Sequence, residues 1–123
     1  MQDISHRAAV SALLICAVLV AGMGADAGAG STPWMQHRQF MLGLLGAGLA
    51  LSAFVSGLRP AAIGAAVLSE ISFLAIAWPT LGAQALAVHA AVVLLLAFSG
   101  TVFLHEARQQ ARWDGVLPSR QES

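Results

Sequence analysis

Glu70 is the residue whose placement carries the most chemistry. It falls near the centre of an apolar run over residues 61–78, where an acidic side chain costs roughly 2.5–3.5 kcal/mol on insertion scales. Such a residue is expected to turn toward a protein interior and to meet a polar partner there. A carboxyl so placed can hold a proton, bind a cation or give a ligand a polar handle. Bonded to a serine or a backbone carbonyl, it would serve packing alone. His89 is the nearest candidate partner: if the chain folds back over residues 79–82, the axial offset between Glu70 and His89 is about 5 Å. A direct or water-bridged contact would form a proton relay; the alternative is a histidine satisfied by a backbone carbonyl. His37 and Arg38 stand just before the second apolar run, at the start of its helix. There an arginine binds a lipid phosphate or an anionic ligand, or simply anchors the helix end.

Other chemistries are disfavoured by spacing or by absence. His89 and His105 stand 16 residues apart, about 24 Å along a helix and about 160° around it, so they cannot ligate one iron. His37 lies about 15 Å in depth from His89, so no haem is expected within one protomer. His6, His105 and Glu106 share one boundary and would make at most a weak metal site; no metal or other cofactor is expected. Cys16 is the single cysteine, which excludes an intrachain disulfide and a cysteine-based cluster. Ile15 precedes it where a lipoprotein site wants a small residue, so Cys16 reads as a packed or lipid-facing small hydrophobe. Phosphate loops, nucleophile elbows and His-Glu-x-x-His pairs are all missing, so no catalytic residue is assigned and an enzyme is not favoured.

The elements that must position these residues follow from composition. The chain has 123 residues, 58% hydrophobic and 10% charged, against roughly 45–50% and about 25% in an ordinary soluble domain. A fold this small cannot cover its surface in water with so few charges, so its solvent is expected to be lipid. Zero net charge offers nucleic acid no electrostatic footprint. Apolar runs cover approximately residues 8–24, 40–58, 61–78 and 81–104, near the roughly 20 residues that cross a hydrocarbon core of about 30 Å. They are continuous, without the alternation of barrel strands. The expected fold is therefore all-α: an integral membrane bundle of four antiparallel transmembrane helices, a single domain over residues 1–115. The last helix is expected to extend to about residue 113 and to end at Asp114-Gly115, with a disordered tail over 116–123. If the first run is instead a signal peptide cut near Ala25-Asp26-Ala27, three helices remain.

The chain has no lysine. With a cytoplasmic N-terminus, Arg7, Arg59, Arg108, Arg112 and Arg120 lie inside and Arg38 alone lies outside, the split that the positive-inside rule favours. This orientation puts both termini in the cytoplasm; the bacterial inner membrane is what the resemblance given below implies. Trp34, Trp78 and Trp113 fall at run ends, where indoles prefer to sit.

In lipid, small residues decide how closely helices approach. Gly48, Ser52 and Ser56 repeat every fourth residue in the second run, and Ala61, Ala65 and Ser69 do so in the third. These two stripes are expected to face each other across the Arg59-Pro60 turn.

Two resemblances bear on the reading. Residues Met35-Gln36-His37-Arg38, Leu42-Gly43-Leu44-Leu45-Gly46 and Ser72-Phe73-Leu74-Ala75 resemble a pattern in a broad group of small four-helix bacterial membrane proteins without a settled function. Some similar sequences are labelled phosphopantetheine adenylyltransferase, a soluble enzyme with a His-x-Gly-His motif that this chain lacks. The resemblance covers about residues 35–78 and implies that His37-Arg38 recurs at the outer mouth of the bundle. Small multidrug transporters are similar in length and helix number and carry one intramembrane glutamate, but theirs is in the first helix. The leading expectation is a non-enzymatic accessory or structural bundle in the lipid bilayer, packed against a membrane-protein partner or itself. The alternative is a proton-coupled carrier or a binder of a hydrophobic or anionic small ligand through Glu70. A weaker third reading is a subunit of an enzyme handling lipid or quinone.

Overall fold

The computed structural model describes residues 2–25 and 32–116. Among them are four α-helices: α1 (Gln2–Ala25), α2 (Pro33–Phe54), α3 (Arg59–Ala77) and α4 (Ala83–Val116). Three are long and apolar enough to cross a membrane, with candidate spans Asp3–Met23, Ser56–Thr80 and Ala83–Trp113. α2 opens instead on Gln36-His37-Arg38-Gln39.

Local chemistry sets the helix ends. Thr32 caps α2 by accepting a hydrogen bond from the Met35 amide, with Pro33 in the first turn, where its missing N–H is not needed. The helix therefore begins seven residues before the apolar run that starts at residue 40. It also ends earlier than that run: Val55 is extended, and a 3₁₀ turn over Ser56–Leu58 follows. Arg59 donates to the carbonyls of Ser52 and Ala53, both at 3.2 Å. A cation thereby satisfies acceptors that the end of α2 leaves open. A second 3₁₀ turn, Trp78–Thr80, joins α3 to α4. At its far end α4 continues to Val116, past the expected stop at Asp114-Gly115, because one glycine costs a helix only about 1 kcal/mol. Residues 117–123 and the Asp26-Ala27 part of the cleavage motif lie outside the described residues.

Pairings along the helices give their directions. Cys16 Sγ donates to the Val92 carbonyl, Ser99 Oγ donates to the Ala9 carbonyl, and His6 meets Glu106. Numbers rise on α4 as they fall on α1, so the two are antiparallel. Glu70 with His89, and Ile63 with Gly100, give the same sense for α3 and α4. Each helix packs on its sequence neighbour and α4 closes back on α1, making a ring of four. Leu13, Val20, Leu49, Val92 and Leu96 fill its middle without exposure. α1 is the most thoroughly packed helix and α3 the least. Outward side chains such as Leu68, Ile71 and Ile76 on α3 and Leu94 on α4 are apolar, as a lipid-facing surface requires.

The two small-residue stripes are not buried along their whole length. Ser52 is buried, but its hydroxyl returns to the Leu49 carbonyl at 2.8 Å. Ser56, Ala61 and Ala65 are exposed, Gly48 is half-buried with open space where a Cβ would go, and Ser69 is half-buried. α3 is rotated by one residue from the expected phase and buries Ala66 and Glu70, with Ala62 packed against the core. Glu70 accounts for this rotation, because a carboxyl on the lipid side costs more than an exposed alanine does. The closest helix approach occurs at Gly46, where a Cβ would lie 2.9 Å from the Ala17 carbonyl oxygen and 3.0 Å from Ala21 Cβ.

Candidate functional site

The site is built where α3 and α4 leave their connecting turn. Glu70 precedes the end of α3 by about two turns, and His89 follows the start of α4 by about the same rise, roughly 10 Å in each case. Both side chains are buried, and Glu70 Oε2 lies 2.6 Å from His89 Nδ1. One proton shared across this bond leaves the pair without net charge, whether written as carboxylic acid with imidazole or as carboxylate with imidazolium. A close pair of this kind meets the requirement that an intramembrane polar residue be partnered.

A stack extends outward from the pair. The Phe73 ring lies 4.6 Å from the His89 ring, tilted by 33°. On Phe73 rests the guanidinium of Arg38, with Cζ 4.2 Å from the ring centroid. That cation–π contact contributes about 0.5–1 kcal/mol in an exposed setting. No protein acceptor among the described residues takes a hydrogen bond from Arg38. Glu70, His89, Phe73, Arg38 and Ser69 line a partly open cavity of about 140 Å³, whose other walls are Met23, Met41 and Leu42. The arrangement can store one proton beside a small chamber and present a cation at its rim. His37, next to Arg38 in sequence, is exposed and outside the cavity lining.

The opposite end of the bundle repeats this order of side chains. Glu106 Oε2 lies 2.9 Å from His6 Nδ1, the His6 and Phe103 rings meet edge to face at 5.8 Å, and Arg59 Cζ sits 4.2 Å above Phe103. This second pair is far less buried, with side-chain exposures of 39% and 27% against 8% and 3% for His89 and Glu70. His105 does not join it; its Nε2 accepts from Gln109 at 2.8 Å. Among the described residues no three metal-binding side chains converge. Cys16 is buried, with its thiol on the Val92 carbonyl at 3.5 Å.

Sequence reasoning singled out Glu70, His89 and Arg38 but not the phenylalanine that links them. Its signal was available: Phe73 follows Glu70 by three residues, which puts both on one helix face, and Phe103 precedes Glu106 by the same interval. Comparison with family models, curated protein sequences and solved structures gives no match to this chain.

Proposed function

We propose that the protein is a multi-pass protein of a bacterial inner membrane, non-enzymatic, in which Glu70 and His89 bind a proton linked to the binding of a small ligand. α2 is then the fourth antiparallel span, and both termini lie in the cytoplasm. The observation that carries the reading is the buried 2.6 Å contact between His89 and Glu70 at the wall of a cavity. A purely structural polar contact needs no chamber beside it and no cation at the rim. The resemblance to small four-helix bacterial membrane proteins supports the architecture and is silent on the ligand.

The test is infrared difference spectroscopy of the purified chain in lipid nanodiscs while pH is varied from about 5 to about 8. Carboxyl and imidazole bands are expected to change together. Glu70→Gln is expected to remove the carboxyl band and His89→Gln to move it. Spectra in which neither variant changes a titrating band would overturn the reading.

A second reading, an accessory bundle packed against a partner or itself, is favoured by α3, whose outward face carries the exposed Ala61, Gly64, Ala65 and Leu68. Small residues there let another helix approach. Native mass spectrometry from mild detergent is then expected to show a homo-oligomer or a bound protein; a bare monomer would remove this reading.

A further inference from the structure

We infer that the cavity beside Glu70 and His89 takes a short monocarboxylic acid, bound as its anion by Arg38. This rests on the proton-linked reading above and names its ligand class. Three features select that class. First, Arg38 presents its guanidinium at the cavity rim, with Cζ 4.2 Å from the Phe73 ring centroid and with no acceptor among the described residues; the planar fork of a guanidinium is suited to a two-point grip on a carboxylate. Second, Met23, Met41, Leu42 and Phe73 supply apolar wall, which suits a short alkyl tail and penalises a multiply charged anion. Third, the chamber of about 140 Å³ is a few times the roughly 30 Å³ of one liquid water, enough for a molecule of about four to seven heavy atoms. A cation is disfavoured by Arg38 at the entrance and because Glu70 is already engaged by His89. A neutral ligand would leave the guanidinium unmatched.

The proton fixes the coupling. With one shared proton the Glu70–His89 pair is neutral and tolerates an anion beside it. Once that proton is lost the pair carries one negative charge and repels the carboxylate. The proton can also pass to the ligand: a carboxylate oxygen gains it, the ligand becomes neutral, and the pair becomes singly negative until water at the open side returns a proton. Other charged or titratable side chains near the pair are Arg38 on α2 and Cys16 on α1, whose thiol is turned to the Val92 carbonyl one turn from His89; His37 on α2 is exposed.

The experiment is isothermal titration of the full chain in nanodiscs with sodium propionate at about pH 6 and about pH 8, at both of which propionate stays ionised. Propionamide, ethylammonium and inorganic phosphate serve as parallel probes. Propionate is expected to bind at least about tenfold more tightly at the lower pH, a difference of about 1.4 kcal/mol, and the three other probes not to bind measurably. Arg38→Gln, at an exposed position, is expected to weaken propionate at both pH values by about tenfold or more. The double variant Glu70→Gln with His89→Gln is expected to make the affinity the same at both. Absence of propionate binding, equal binding of propionamide, ethylammonium or phosphate, or indifference to Arg38→Gln would overturn the carboxylate assignment and leave the proton-linked reading standing. A pH dependence unchanged in that double variant would overturn the proton linkage itself.

Discussion

Glu70 and His89 solve one physical problem with each other. Alone, each would be a buried polar group in an apolar helix, and an unsatisfied group of that kind costs about 1–3 kcal/mol. Together they are buried with a 2.6 Å contact, and among the described residues no buried side-chain nitrogen or oxygen lacks a partner. The energy at stake is bounded by the reference state, since helices already inserted in lipid find other partners when unpacked; interhelical hydrogen bonds are accordingly worth about 1–2 kcal/mol in model peptides and often less in proteins. A double-mutant cycle on Glu70→Ala and His89→Ala, read by reversible unfolding in mixed micelles, is expected to give a coupling of about 1 kcal/mol. Costs that simply add, within about 0.3–0.5 kcal/mol, would mean that the contact contributes no pairwise stability. The second pair, His6 and Glu106, at 2.9 Å but part-exposed, is expected to couple more weakly, because water competes for both groups.

Helix positions show how far the sequence could be read and where reading stopped. Four helices followed from apolar run length, and a fold-back over residues 79–82 brought Glu70 toward His89, so those two residues of the site were visible as a candidate pair. What periodicity missed was phase. Ala61, Ala65 and Ser69 form as regular a stripe as Ala62, Ala66 and Glu70, and in a chain so rich in alanine only the cost of exposing Glu70 to lipid chooses between them. The ends of α2 escaped for another reason: Thr32-Pro33 starts a helix by capping, which hydropathy does not see, and Val55 breaks one while remaining apolar. Gly46 was likewise hidden among nearby glycines, although it alone of Gly43, Gly46 and Gly48 meets another helix within 4 Å of a Cβ. Since the atoms met there include the Ala17 carbonyl oxygen at 2.9 Å and the Ala21 amide nitrogen at 3.2 Å, backbone must move to admit a side chain. Gly46→Val is expected to lower stability by about 1–3 kcal/mol, as overpacking does, and Gly43→Val to leave it nearly unchanged. Matching melting temperatures for the two variants would show that α1 and α2 do not pack through Gly46.

Charge distribution supports the proposed direction, which packing cannot choose. A ring of four antiparallel helices is mechanically the same molecule either way up in the membrane. Arg7, Arg59, Arg108 and Arg112 fall at one end of it, whereas Arg38 lies on α2 near the other, and positive residues beside short connections are retained in the cytoplasm. The outer cavity with Arg38 would then face the periplasm, and the His6–Glu106 end the cell interior. Between the ends lie Leu13, Leu49, Val92 and Leu96, all fully buried, so buried apolar side chains stand between the two polar clusters. Orientation can be read by labelling a chain freed of its native thiol by Cys16→Ser, a change that keeps a donor for the Val92 carbonyl. A single Ala83→Cys at the exposed start of α4 is expected to react with a membrane-impermeant maleimide on intact cells. A single Ala111→Cys, exposed on the last turns of the same helix, is expected to react only after the membrane is opened. The reverse pattern would invert the assignment, placing Arg38 and the Glu70–His89 cavity on the cytoplasmic side, where any proton-linked ligand would have to come from within the cell.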